Sequence, residues 1–256
     1  MKKSTQLLLA AALLFAGLQA NAQSFTIGAK GGLSIPNLTA GTTDKTPMNT
    51  GYKSRLGPEA ALFAEYKVSK LFSLEGIVQY SSQGGKKDGV QALKTPAEIK
   101  SMYSNGDAPQ YLYANYKSEA KLNYMMVAAL AKAGWDLGKS PLRIYIGVGP
   151  FVGFLVSAKQ VTSGRSAFYL DENGQQALPG EAQSFDNTED IKSDLHAVNF
   201  GIEGTLGLSY KIGRNNIFVE GGGNYGFLNI QKYSENGNNT IGAATAVIGY
   251  SYRLGK

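Results

Sequence analysis

The chain has 256 residues, with 32 glycines, 15 tyrosines, one histidine and no cysteine. The lack of cysteine excludes disulfides and thiolate metal sites. A formal charge of +6 without any basic cluster gives no reason to expect nucleic acid as a partner.

The first element in chain order is "MKKSTQLLLAAALLFAGLQANAQ". Lys2 and Lys3 precede an apolar stretch from Leu7 to Leu18, and Ala20-Asn21-Ala22 has the form of a cleavage site. The apolar stretch is shorter than the ~20 residues a membrane helix needs, and no cysteine follows it to take a lipid. A secretory signal peptide over 1–22 and one domain over 23–256 are expected.

Eight segments then alternate with period two, which is the spacing of a strand with two unlike faces. In 25–33, Phe25, Ile27, Ala29 and Leu33 alternate with Thr26, Gly28, Lys30 and Gly32. In 55–68, Leu56, Pro58, Ala60, Leu62, Ala64 and Tyr66 oppose Arg55, Glu59, Glu65 and Lys67. In 71–83, Phe72, Leu74, Val78 and Tyr80 oppose Ser73, Glu75, Gln79 and Ser81. The fourth, 120–135, is ambiguous. Met125, Val127, Ala129 and Trp135 are the preferred apolar face with Lys132 opposite, and the reverse phase stays open. The fifth, "LRIYIGVGPFVGFLV" at 142–156, is apolar at every even position, whereas its odd positions mix Arg143 with aromatics and glycines. The sixth, 195–212, sets Val198, Phe200, Ile202, Leu206, Leu208 and Tyr210 against Asn199, Glu203, Thr205 and Lys211. The seventh, 217–230, sets Ile217, Val219, Tyr225 and Phe227 against Glu220 and Asn224. The eighth, 241–254, sets Ala244, Ala246, Ile248, Tyr250, Tyr252 and Leu254 against Thr245, Ser251 and Arg253.

Connections alternate in length. Residues 68–71, 136–141 and 213–216 are short; 36–54, 83–118 and 158–193 are long, and 232–240 is intermediate. That asymmetry is the pattern of outer-membrane barrels, with short periplasmic turns and longer external loops. The predicted fold is therefore all-β: an eight-stranded antiparallel up-and-down transmembrane β-barrel with both termini on the short-turn side. Facing water, eight such apolar stripes would far exceed the patch a soluble monomer tolerates. The competing arrangement, a soluble lipocalin-like carrier, would turn the stripes inward. Tyr66, Tyr80, Tyr210, Tyr250, Tyr252 and Trp135 sit near strand ends and suit interfacial girdles. Within the long loops, Thr95, Pro96 and Glu98 have a capping-box pattern for a short helix, and 167–178 reads as a hairpin turning on Asn173-Gly174.

With the apolar face outward, the lumen receives Lys30, Glu59, Glu75, Lys132, Arg143, Glu203, Glu220 and Arg253. Four acids against four bases in a bore that side chains can fill predicts a neutralised plug rather than an ion path.

"SFTIGAKGGLSIPNL", "IYIGVGPFVGFLVSA", "FVEGGGNYGFLNI" and "AVIGYSYRL" resemble strands one, five, seven and eight of the PorT-like, porin-family outer-membrane β-barrel domain. The resemblance covers nearly all of 23–256. It departs at "NYMMVAALAK", where that family commonly has a proline and an acidic residue, and at Lys256, where many such chains end in an aromatic. It implies outer-membrane location, and one branch of the family implies a subunit of a secretion machine.

No cofactor, metal or catalytic residue is predicted. His196, beside Asp194 and Ser193, is read as a solvated rim residue, since neither G-x-S-x-G nor H-E-x-x-H occurs. Asp186, Glu189, Asp190 and Asp194 lack the glycine and spacing of a calcium loop, and 28–33 lacks the Lys-Ser/Thr of a phosphate loop. The expected function is a non-enzymatic structural or interaction role. The expected partners are outer-membrane lipid and, through loops 83–118 and 158–193, a protein or surface glycan. "YLYANY" at 111–116 is the aromatic part of that surface. A small pore, a secretion accessory barrel and a lipid-modifying enzyme are the alternatives.

Overall fold

In the computed structural model, residues 25–41, 45–103 and 107–255 are described; the signal-peptide expectation over 1–22 lies outside them. Strands β1 Phe25–Ala40, β2 Gly57–Lys67, β3 Phe72–Lys94, β4 Tyr111–Asp136 and β5 Leu142–Ser163 follow one another. Three short pieces come next: β6 Arg165–Ser166, β7 Gln183–Ser184 and β8 Asn187–Asp190. β9 Val198–Ile212, β10 Asn215–Gly226 and β11 Asn239–Arg253 complete the chain. Eight antiparallel strands pair in the order β1-β2-β3-β4-β5-β9-β10-β11, and β11 returns to β1 with Thr26 opposite Arg253. The Leu254 N–H donates to the Phe25 carbonyl at 2.8 Å, so both described ends meet on the short-turn rim. Closure leaves these strands no free edge through the membrane.

The alternation fixes the faces. Leu62, Val78, Val127, Val148, Leu206, Val219 and Ile248 project outward, each more than half exposed. Their neighbours Glu59, Glu75, Gln79, Lys132, Glu203 and Glu220 are buried in the lumen. Such an outward apolar belt matches a hydrocarbon slab and not water. The ambiguous fourth segment adopts the preferred phase, with Met125, Val127 and Trp135 outward and Lys132 inside. Its other face is apolar too: Leu122, Tyr124, Met126, Ala128 and Leu130 all point inward and are buried. That is why its sequence carries so little contrast. Trp135, Tyr210 and Tyr250 stand exposed at the short-turn edge of the belt, where amphipathic rings are favoured.

Several strands are longer than the sequence predicts. β1 runs to Ala40, β3 to Lys94, and β5 to Ser163, while β4 begins at Tyr111. The expected ends coincide with the end of the outward apolar stripe, but ladder hydrogen bonds do not need that stripe. Above the membrane both faces of a hairpin can be polar while the backbone remains paired. The region expected as loop 83–118 is therefore largely strand, with its connection confined to 95–110, whereas 158–193 keeps a long connection, 164–197, that carries only the short pieces β6, β7 and β8. Where β3 leaves the belt, Gly84 has φ +116°, and a Cβ there would lie 1.9 Å from the Ala120 carbonyl oxygen. On β5's side of β4, the register shifts between Asn123 and Tyr124. These two irregularities lie at about the same height of the β3–β4 hairpin, whose own ladder runs through them without a register shift. At the other rim-facing ends β9 begins three residues later than expected and β10 stops at Gly226; Ile230 instead turns inward and is buried.

The short helix, α1 Ala97–Lys100, forms where predicted but without its predicted cap. Thr95 donates its hydroxyl to the Pro109 carbonyl at 2.5 Å and closes the loop base instead. The Asn173-Gly174 turn is present, with Gly174 at φ +68°. Its anchor is a residue the turn pattern did not single out: the Asp171 carboxylate accepts backbone N–H groups of Asn173, Gln175 and Gln176. Those bonds hold the Asp171 carboxyl below its ordinary range.

Candidate functional site

The lumen divides into levels along the barrel axis. At the periplasmic mouth a cavity of about 350 Å³ is lined by Lys67, Lys139, Arg143, Lys211, Arg214 and Arg253, with Asp136 as an acidic counterpart. Arg143 bonds Asp136 at 2.8 Å and the Lys70 carbonyl at 3.0 Å.

Above the mouth lies a buried ionic level. Lys132 pairs with Glu65 at 2.9 Å and with Glu75, and stands 4.3 Å from the centre of the Tyr145 ring. Lys30 pairs with Glu220 at 2.7 Å and reaches Glu75 at 3.6 Å. The Tyr145 hydroxyl donates to the other Glu220 oxygen at 2.9 Å. Phe63 and Phe218 meet edge-on at 5.7 Å beneath Lys30, which is 5.8 Å from the Phe63 ring centre.

The next level is held by amides and hydroxyls. Gln79 donates across the bore to Glu203 at 2.8 Å. Ser81 donates to Glu59 at 3.3 Å, and Gln83 donates to Ser81 at 2.8 Å and to Asn224 at 3.3 Å. The β4–β5 wall beside them carries Met126, Tyr124, Leu122, Phe151 and Leu155, all buried. The lumen thus has one polar wall and one apolar wall. Leu38, Leu195, Ile230 and Ile241 pack into the same apolar cluster toward the external end. Across that end, Asn239 donates to the Asn49 carbonyl at 3.0 Å, and Asn49 donates to the Asn238 carbonyl at 3.1 Å.

Of the predicted lumen charges, Lys30, Glu59, Glu75, Lys132, Glu203 and Glu220 lie together in the buried bore. Arg143 and Arg253 do not join them, because both sit at the mouth. The expected four-to-four balance therefore does not hold locally: counting Glu65, five carboxylates face two ammonium groups. Glu65, Gln79, Ser81 and Tyr145 are site residues that charge pairing alone did not single out. Their signal was parity, since each occupies the inward phase of its strand.

Outside the belt the loops pack onto the strand extensions. Tyr113 exchanges backbone hydrogen bonds with Tyr169 at 2.9 and 2.7 Å. Tyr116 stacks on Phe185 at 4.5 Å, and Phe168 meets Phe185 edge-on at 5.9 Å. The aromatics of 111–116, expected to face a partner, are at most half-exposed because this cap uses them internally. Lys87 donates to the Met48 carbonyl at 2.5 Å and lies 4.4 Å from the Tyr52 ring centre. Burial pushes the Lys87 ammonium down to about 8 and the Tyr52 hydroxyl up to about 12.

His196 is exposed, with its backbone N–H donating to the Ile230 carbonyl. The Asp194 carboxylate accepts from the Ser193 hydroxyl at 3.0 Å. Asp186 accepts from the Gly164 N–H, and Asp190 from the Lys192 N–H, so two members of the acidic edge serve as turn anchors. Among the described residues no group of three or more acidic or histidine side chains is placed to hold a metal ion.

Residues 21–232 match the model of the outer membrane protein β-barrel domain family. No curated protein matches the chain. Solved structures similar to it include neisserial surface protein A, at 14% identity and TM-score 0.40, covering 90% of this chain and 97% of that one. Ail, the attachment invasion locus protein of Yersinia pestis, is 10% identical with TM-score 0.38, covering 90% and 99%. OprG of Pseudomonas aeruginosa is 10% identical with TM-score 0.35, covering 90% and 96%.

Proposed function

We propose a function from one premise: this chain belongs to the outer membrane protein β-barrel domain family. It is an eight-stranded barrel of the outer membrane. Our reading is that it acts as a closed, non-enzymatic display scaffold, engaging a protein or glycan at the cell surface through the projecting β3–β4 hairpin and the 164–197 loop. The observation that carries it is the pairing of β3 with β4 from Phe72↔Ala133 up to Lys94↔Tyr111, far beyond the lipid belt. A ladder of this length holds a surface at fixed distance and orientation, and that pre-organisation lowers the cost of binding. The packed external end of the bore favours this role over a pore.

A lateral notch favours a second reading, a subunit of a larger membrane complex such as the secretion machine implied by the PorT-like resemblance. Ala64, Gly76, Ala129, Ala131 and Gly149 leave a depression of about 440 Å³ in the outer surface of the belt, and small residues let a neighbouring segment approach closely.

The test is removal of residues 85–120 and, separately, of 164–197, each bridged by a tight turn. Barrel folding, read as heat-modifiable gel mobility, is expected to survive. Cross-linking to outer-surface partners on whole cells is expected to vanish, and planar bilayers are expected to show no conductance steps. Steps in the intact protein that change with Glu203→Gln would replace this reading with a pore.

A further inference from the structure

The periplasmic mouth gathers charge that the fold does not neutralise. Six cationic side chains face one carboxylate there, Asp136, once the Lys132–Glu65 pair of the floor is set aside. Arg143 is tied to Asp136, and Arg214 to the Tyr252 hydroxyl. The side chains of Lys67, Lys139, Lys211 and Arg253 make no hydrogen bond or ion pair among the described residues. Lys67 nonetheless stands within the field of both Arg143 and Lys211, and these three share Asp136 as their counter-charge. Like charges gathered this way repel, so the cluster opposes the stability of the folded barrel.

Neither the surrounding lipid nor the acidic interior accounts for these cations. Lys67, Arg143, Lys211 and Arg253 occupy the inward phase of β2, β5, β9 and β11, so they face the bore and not the headgroups around the barrel. Glu65 and Glu75 are already held by Lys132, and Glu220 by Lys30. Glu59 and Glu203 stand eight residues from Lys67 and Lys211 along the same strands. That is roughly 26 Å at ~3.3 Å per residue, well past the screening length of about 10 Å in 0.1 M salt. The cavity is also a cup and not a passage: its floor is the buried level of Lys132, Tyr145, Phe63 and Phe218. Its volume of about 350 Å³ falls within the range of small-molecule sites, about 300–1,000 Å³.

We propose that this cup binds a phosphate-bearing anion presented from the periplasmic side. Its cationic donors approach from four strands spaced around the ring. A phosphate group carries up to two charges and at least three acceptor oxygens, so it meets donors from several directions at once. A carboxylate offers two coplanar oxygens, which a single arginine fork satisfies. Thr26 and Ser251 add hydroxyls to the wall. A cleft lined by one sign of charge concentrates the opposite ion, and the closed floor keeps that ion at the mouth. A soluble phosphate compound and a phospholipid headgroup share this chemistry. The site is independent of what the external hairpin and loop engage.

The full mature barrel in maltoside micelles is titrated calorimetrically with pyrophosphate, with dihexanoyl phosphatidic acid and with citrate, at one ionic strength set by chloride. The expected result is saturable binding of about one pyrophosphate per chain. Lys211→Gln combined with Arg253→Gln is expected to weaken it about tenfold or more, through lost charge-assisted hydrogen bonds. Lys117→Gln combined with Lys159→Gln removes the same net charge from exposed positions near the external end and is expected to leave the affinity unchanged. Tighter binding of phosphatidic acid than of pyrophosphate, with the same loss in the mouth variant, assigns the phosphate to a lipid; the reverse order assigns it to a soluble compound. The absence of saturable binding by either phosphate overturns the proposal. So does equal weakening by the external pair, which would reduce the effect to net charge, or citrate binding at least as tightly as both phosphates, which would make the cup a carboxylate site. Heat-modifiable gel mobility checks the fold of each variant, and Lys67→Gln repeats the test with a single side chain changed.

Discussion

The two halves of the β3–β4 hairpin have the same backbone and opposite side-chain chemistry. Within the belt, Leu74 and Val78 face outward while Glu75 and Gln79 are buried. Beyond Gly84, Lys86 and Asp88 face outward, and Leu112, Ala114 and Ala92 are buried beneath them. The inversion occurs within one continuous strand, so the pairing of the backbone does not dictate which face is apolar. The surrounding solvent does: acyl chains below and water above. The lower half holds its interior by paired charge, and the upper half by packed rings and apolar side chains.

That contrast can be broken most severely in the lower half. Lys132→Met removes the shared partner of Glu65 and Glu75, and the loss of a buried pair's partner is expected to cost ~3–5 kcal/mol. Urea unfolding in phospholipid vesicles, followed through the one tryptophan, Trp135, measures it. Combining Lys132→Met with Glu65→Gln and Glu75→Gln is expected to restore much of the loss, which separates charge from shape. On the outer surface of the same half, Val148→Arg is expected to cost about 2–4 kcal/mol near the bilayer midplane. A change at an exposed position of the upper half, Lys117→Glu, is expected to stay within ~0.5 kcal/mol. Equal costs for these two would contradict the division between lipid and water.

In the upper half, Tyr116→Ala removes the stack on Phe185, with an expected loss of order 1 kcal/mol beyond its buried area. Faster protease cleavage of 164–197 with an unchanged barrel midpoint is the outcome to look for. The smallest effect is pH-dependent. Lys87 has its folded value depressed from 10.5 to about 8, so the unfolded cap binds more protons between those values. Local stability is therefore penalised in full below pH 8 and recovers as pH rises toward 10.5. The Met48 carbonyl and the Tyr52 ring offset part of the penalty. Amide hydrogen exchange in residues 45–53 is expected to slow, after correction for intrinsic rates, between pH 7.5 and pH 9.5, and Lys87→Met is expected to remove that slope.

The residue pattern alone determined the strand count, the phase of each clean strand and the membrane-facing surface. Period two is local, and a barrel repeats it eight times without needing to know which strand pairs with which. The parity of Glu59, Glu75, Glu203 and Glu220 placed them inside on the same ground. Tertiary structure decided what parity cannot express, namely height along the axis. Arg143 and Arg253 share the inward phase yet stand at the mouth, so the expected charge balance dissolved into a cationic entrance and an acidic interior. The extended hairpin was likewise invisible, because above the membrane no apolar stripe marks a strand and only its paired neighbour does. β4 shows the limit most clearly. With apolar residues on both faces, its direction was set by the ring it closes, where Lys132 finds Glu65 and Glu75 on one side and lipid would have met it on the other.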